Sequence, residues 1–532
     1  MAIKLADTAR PNNYVDAEHQ GTFPVAYAED VWFSDGTRLS EKDFSGGDIQ
    51  KTELPLASVD ELGKIYQYIG ATGTYTNGYW YKCIETPDSD PTTYEWEQVP
   101  YAWDVQLTQT EYDALPDSKE TDNKTYYVID GEAEDTVIYS WTIDPDESDS
   151  FDCVTYTDDA TGMTPASMGA TSFNYGSWED AFFMPRPCML KLDGTVDYYL
   201  DPNDYSLKED GTPSDISNPE YTGNAMMEWG VIWFKFTSGV ASGAGLFSCS
   251  NKQVDETYDC PCNKDADGNF IPHFYTAIYN STGTEIFKSK SGIQLTSENG
   301  SGGTTGAQEI RRAVLNNTTE KYEWITDVWC DRVLINALLV LMSHSIDSQA
   351  SFGRGLDGEV ANSPDSQSIK ESYVTGTLDN KGLFWGDTVH GLSPVKVFGM
   401  ENWWGCCWRR IAGLLGIQGR YIYKMTQPYS QTGHGYTDSS ISIVSSGDIS
   451  KCTFGAFGYV PTEVQGTVDT YYADTFHHNL DETRTYYGVV GDCTSSGKNT
   501  GMNALGLHVY WDTAHWSCST TLSCKPLASR FN

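Results

Sequence analysis

Eight residues, Trp403-Trp404-Gly405-Cys406-Cys407-Trp408-Arg409-Arg410, hold three Trp and two Arg. A solvated linker does not carry so much apolar ring surface, so the segment belongs to a core. It follows Val397-Phe398-Gly399-Met400-Glu401-Asn402 and runs on to Gly413. The pattern predicts a short helix over 403–415 ended by Gly416, with the Arg pair on its flank. A compact, loop-rich fold should surround it.

Composition bounds what else the chain can be. At 532 residues it is too long for one ordinary domain, so about three or four units are expected. Its 34 Tyr and 16 Trp are the aromatic supply that disordered chains lack. Its 49 Gly, set with polar turn formers between short Tyr/Val/Ile runs, predict β-structure with many turns. A net charge of −40 excludes nucleic acid as a partner, since phosphate binding needs Lys and Arg. The same charge disfavours an anionic membrane surface and serves mainly as a solvated coat. No apolar run approaches the ~20 residues of a membrane span, and Met1-Ala2-Ile3-Lys4-Leu5 lacks the apolar core of a signal peptide. Synthesis in a cytoplasm and release by lysis are expected.

The 13 Cys are an odd number with no Cys-x-x-Cys spacing, which predicts no zinc site. Most should be buried free thiols.

Five segments follow from the punctuation. Residues 1–48 form a small adaptor that cannot bury much surface alone. Residues 49–102 form a β-module, with strands at Gly63–Ile69, Tyr79–Cys83 and Trp96–Val99 and an Asn77-Gly78 hairpin signal. Residues 103–140 form a second β-module. Leu-Pro to Lys spans ten residues in the first (Leu54 to Lys64) and nine in the second (Leu115 to Lys124). This weak echo is either a repeat or chance similarity. From 141 the chain reads as one larger unit, with a β-rich half at 141–320 and a second half at 321–532. In that unit Val231–Phe236 is a strand. A helix is expected from Glu320 to Ser345, capped by 316–319, with Trp324, Val328, Cys330, Leu334, Leu338, Leu341 and Met342 on its stripe. Asp327 and Asp331 fall within that stripe and need partners if buried. After the strand Arg420–Met425, Gly-, Ser- and Thr-rich sequence to about 500 suits long loops. The fold class expected is α+β.

Candidate chemistry is thin. Asn263-Lys264-Asp265-Ala266-Asp267-Gly268 matches half a calcium loop, but its last ligand position is Phe274, so a hairpin turn explains it better. His477 and His478 in an extended segment point to opposite faces and do not share a metal. Cys518 near His515 is a weak nucleophile–base pair, and no Gly-x-Ser-x-Gly is present. Glu228, Asp327 and Asp347 are the carboxylates from which a glycosidase pair could be drawn. The expectation is no enzyme, no metal and no cofactor.

The sharpest functional signal is Leu505-Gly506-Leu507-His508-Val509-Tyr510-Trp511-Asp512. A period of two buries Leu505, Leu507, Val509 and Trp511 and exposes Gly506, His508, Tyr510 and Asp512. Thr513-Ala514-His515-Trp516-Ser517 then turns.

The order V-F-G-x-E-N-x-W-G-x-x-W at 397–408 resembles C-type-lectin-like domains of the formylglycine-generating-enzyme type. More narrowly, it is similar to the lectin-like domain ending many structural and tail proteins of gut bacteriophages. Phrases at 183–190, 226–234, 324–349 and 522–527 carry the same resemblance. It implies a large C-type-lectin-like domain behind small β-modules, in a virion appendage anchored through its N-terminus to other virion proteins. Such a protein binds a bacterial surface receptor, glycan or protein, and is expected as a homotrimer. In relatives the residues before the closing Leu522–Leu527 phrase contact ligand. By placement these are Asn503, His508, Tyr510, Asp512, His515, Trp516 and Ser517. A purely structural head or tail fibre and a glycan-degrading appendage are the alternatives. The Cys518–Cys524 segment lacks the Arg-rich context of the oxidases of that fold, which argues against copper chemistry.

Overall fold

Strand outweighs helix by 34% to 11%, which overturns the α+β expectation: the described residues are mostly β in several sheets, with no clearly identifiable lectin-like domain among them. The computed structural model describes residues 136–295, 303–319, 321–479, 481 and 483–531. Before residue 136 it describes a set of short strands and a few residues near Leu54. The chain divides into two units, Met1–Asp135 and Thr136–Asn532.

In the first unit Lys4–Asp7 pairs antiparallel with Ala28–Trp32. Gln50–Lys51, Ile65–Tyr68, Trp80–Glu85 and Tyr94–Gln98 form a four-stranded sheet. Buried Tyr81, Cys83 and Trp96 make its small core. Val105–Leu107 and Tyr126–Val128 pair in parallel. The Asn77-Gly78 turn lies outside the described residues.

The second unit is built on three larger sheets. The first runs Val154–Asp158, Ile138–Ile143, Gly245–Ser250, Trp233–Ser238. The second has seven strands and joins Arg186–Leu190, Asn224–Trp229 and Phe274–Ala277 to Leu522–Cys524 and Trp324–Thr326. The expected halves 141–320 and 321–532 therefore share a sheet. They also share a core that extends from Trp141 to Leu507. The third sheet has eight strands, among them Trp408–Ile417, Thr485–Val490, Leu505–Val509 and Thr475–His478. Strands Thr437–Ser442, Lys451–Gly455 and Gly458–Glu463 also fill the stretch expected to be loops.

The long helix spans Trp329–Ser343, shorter than expected, and all its residues are buried. A helix buried all round belongs at the centre of a domain. The preceding Trp324–Thr326 is a strand, and the helix starts after Val328 with no side-chain cap. His344 ends it in the left-handed conformation at φ 55°. Its polar residues find partners, as burial demands. Asp331 pairs with Lys525 at 2.7 Å and accepts from Ser523. Arg332 donates to the Trp403 carbonyl at 2.7 Å and lies 4.1 Å from the centre of that ring. Asn336 Oδ1 accepts from Trp403 Nε1 at 2.8 Å. Asp327 caps its own neighbour, Val328 N–H, and sits near the charges of Arg409 and Arg332.

The Trp-rich segment is core, but no helix forms there. Asn402, Gly405 and Cys406 have φ of 53°, 74° and 62°, which a right-handed helix excludes. A turn results, and Trp408–Ile417 follows as a strand with all but its last residue buried. No helix among the described residues is long and apolar enough to cross a membrane.

Candidate ligand-binding face

Strand Leu505–Val509 lies between Thr485–Val490, antiparallel, and Thr475–His478, parallel. Leu505 and Leu507 enter the main core, and Val509 enters a second cluster with Trp408, Tyr487 and Cys493. Gly506 is buried as well, since Val489 and the ring of its own neighbour His508 crowd it.

Two aromatic groups form on this sheet. In the first, the rings of His477 and His508 meet buried Trp408 edge-on at 5.6 and 5.3 Å. The two imidazoles are 5.6 Å apart. Burial, reinforced by the neighbouring His477, pushes the His508 pKa down to about 4. Burial also lowers that of His477. Both rings are therefore neutral at neutral pH.

In the second group Tyr510 stacks on Tyr486 at 5.0 Å, with the hydroxyls 3.3 Å apart. Arg484 covers the Tyr510 ring at 4.6 Å, and its guanidinium reaches Asp481 at 3.3 Å. His478 meets Tyr486 edge-on at 5.8 Å. His477 and His478 thus serve different clusters, as adjacent residues of a strand must.

The loop after Tyr510 is held by its backbone. Gly306 N–H donates to the Trp511 carbonyl at 2.9 Å. Buried Arg410 donates to the Thr513 carbonyl, and Lys370 Nζ donates to that of Trp516 at 2.8 Å. Arg410 is itself fixed by an ion pair with buried Glu309, which also accepts from Thr304 at 2.7 Å. Burial pushes the Glu309 carboxyl up, against the opposing pull of Arg410. Three carbonyls within six residues, those of Trp511, Thr513 and Trp516, are thereby tied to the core. A loop so fixed loses little freedom when a ligand binds.

The seven expected contact residues divide. Asp512 and His515 are exposed, and His508, Tyr510 and Trp516 are half-buried. Asn503 and Ser517 are buried, which corrects their assignment as ligand contacts. Asn503 donates to the Ile346 carbonyl at 2.9 Å and accepts from Tyr459 at 2.9 Å, so its amide is spent inside. Ser517 Oγ lies 2.7 Å from His515 Nδ1 and orients that ring. His508 has most of its ring against Trp408. Trp511, expected in the core, is only half-buried, because the strand ends at Val509. Arg484, Tyr486, Arg410 and Lys370 were not expected here. The spacing of Arg484 and Tyr486, two apart, was the available signal.

The other candidate groups are engaged elsewhere. Asp265 accepts from the N–H groups of Asp267, Asn269 and Ala528, which makes the half calcium loop a turn. Glu228 accepts from Tyr199 and Tyr275, and Asp347 caps a short helix at Ala350. Burial raises the Cys518 thiol, and its neighbour His515 turns to Ser517 instead. Cys262, Cys330 and Asp331 bring ligand atoms within 4.8 Å of one another. There the Lys525 ammonium already sits on Asp331 and on the Cys262 carbonyl. All thirteen thiols are free and buried.

No protein-family model matches the chain, and no curated protein matches it.

Proposed function

We propose that this chain is a bacteriophage appendage protein whose second unit, Thr136–Asn532, binds a component of the bacterial surface. The observation that carries this is the 510–517 loop, tied to the core at three carbonyls while Asp512 and His515 remain exposed. The loop lies beside the Tyr486–Tyr510–Arg484 stack, and rings, a guanidinium and a carboxylate are groups that bind glycans and proteins alike. The resemblance of its sequence phrases to those of gut-phage tail proteins suggests the setting. In that setting the first unit attaches to other virion proteins, and a homotrimer multiplies a modest site affinity. The protein then acts by binding, without catalysis.

The test is saturable attachment of the fluorescently labelled full chain to cells of a panel of gut bacteria. Binding to a subset of strains, competed by unlabelled protein, is expected. Failure to bind any strain would leave the structural-fibre alternative.

A further inference from the structure

Thr305 and Gln308 close a reciprocal capping box on the helix Gly306–Val314. That helix buries Glu309, Arg312 and Ala313. Ile310 and Val314, four residues apart on another stripe, remain half-buried. They form one wall of a cavity of about 250 Å³. Ile325 and Ala412, from two strands, line it as well, with Gln427, Pro428, Tyr429 and Gln431.

Three observations define what fits. First, charged residues are 20% of the chain, yet none of the ten described residues lining this cavity is charged. An ion would find no counter-charge, and a chain of net charge −40 adds a repulsive field against an anion, so the ligand is neutral. Second, Gln427 lines the cavity, is only 6% exposed, and its Nε2 has no hydrogen-bond partner. A buried amide donor without an acceptor calls for an explanation. Third, Tyr322 lines the cavity while 55% exposed, which places an aromatic ring at its edge. The volume falls below the ~300–1,000 Å³ of sites for drug-sized ligands, so one small group enters.

We infer that this cavity binds the acetamido group of a neutral N-acetylated sugar. The methyl suits the apolar lining of Ile325 and Ala412. The carbonyl oxygen supplies the acceptor that Gln427 lacks, and the pyranose face rests against Tyr322. The site is separate from the face around Tyr510 and stands whether or not that face binds cells.

Saturation-transfer NMR on the full chain, with N-acetylglucosamine and glucose as probes, tests it. The acetyl methyl should receive the strongest saturation, and glucose should bind ~tenfold more weakly or not at all. Gln427→Leu and Tyr322→Ala should each weaken N-acetylglucosamine ~tenfold. The second changes an exposed position, so the fold survives it. Tyr510→Ala should leave this binding intact. Equal binding of glucose, absence of saturable binding, or indifference to both cavity variants would overturn the inference. N-acetylalanine methylamide binding as tightly as the sugar would reassign the cavity to a peptide and overturn it too.

Discussion

Replacing His508 with Gln should make the second unit less sensitive to acid. In the folded chain the imidazole lies against Trp408 and beside His477, which pushes its pKa from 6.5 to about 4. Above pH 6.5 both folded and unfolded chains carry a neutral ring, and nothing is lost. As pH falls below 6.5 the unfolded chain takes up a proton that the folded chain refuses, so stability drops until about pH 4. Each pH unit in that window is worth about 1.4 kcal/mol, so the full interval is worth about 3 kcal/mol. Solvent at the partly exposed ring edge reduces this to about 2 kcal/mol. Buried Asp492, raised by burial to about 7, acts in the opposite sense: its stabilising contribution is complete below 3.8 and is lost as pH rises toward 7. The difference between parent and variant removes that shared background. Urea denaturation followed by Trp fluorescence at pH 7.5, 6.0 and 5.0 is the assay. Between pH 7.5 and 5.0 the parent should lose about 1–2 kcal/mol more than His508→Gln. Parallel loss in the two proteins would refute the argument.

Arg410→Met should cost about 3–5 kcal/mol by leaving Glu309 buried without its charge partner, and Glu309→Leu added to it should recover much of that loss in the same denaturation assay. Trp403→Ala should cost about 3–5 kcal/mol, since the ring is 1% exposed and its N–H bond to Asn336 goes with it. Trp511→Ala should cost only about 1–2 kcal/mol, because that ring is half-buried. Asn503→Ala should lower stability by about 1–3 kcal/mol, through the Tyr459 hydroxyl and Ile346 carbonyl left unpaired, and should leave ligand affinity at the surface unchanged.

Burial was more legible in the sequence than secondary structure. Trp403, Trp404 and Trp408 are buried as their clustering required, but the helix expected there is a turn and a strand. Trp408–Ile417 is buried on both faces, so after the Arg pair it reads as one apolar run, 411–417, without the alternation that identifies a strand. The same loss of pattern obscured the start of Trp329–Ser343, a helix with no polar face. Leu505, Leu507 and Val509 alternate inward as expected, and the alternation misleads at Gly506, which is buried too, and at Trp511, where the strand has stopped. Asn503 and Ser517 were placed on the face by their position before the closing phrase alone, whereas both are buried and satisfy partners distant in sequence or in a tight turn. Arg484, Tyr486, Arg410 and Lys370 reach the face through pairings across tens to more than a hundred residues, which no local pattern encodes.

Attachment of the labelled full chain to a bound bacterial strain, parent against Tyr510→Ala/His515→Ala, measures the central claim most directly. Both positions lie on the tethered loop, and Tyr510 completes the Tyr486 stack. The double variant should keep the parent's unfolding midpoint to within about 1 kcal/mol of stability and lose ~tenfold or more in cell attachment. A folded double variant that attaches as the parent does would contradict the assignment of this face.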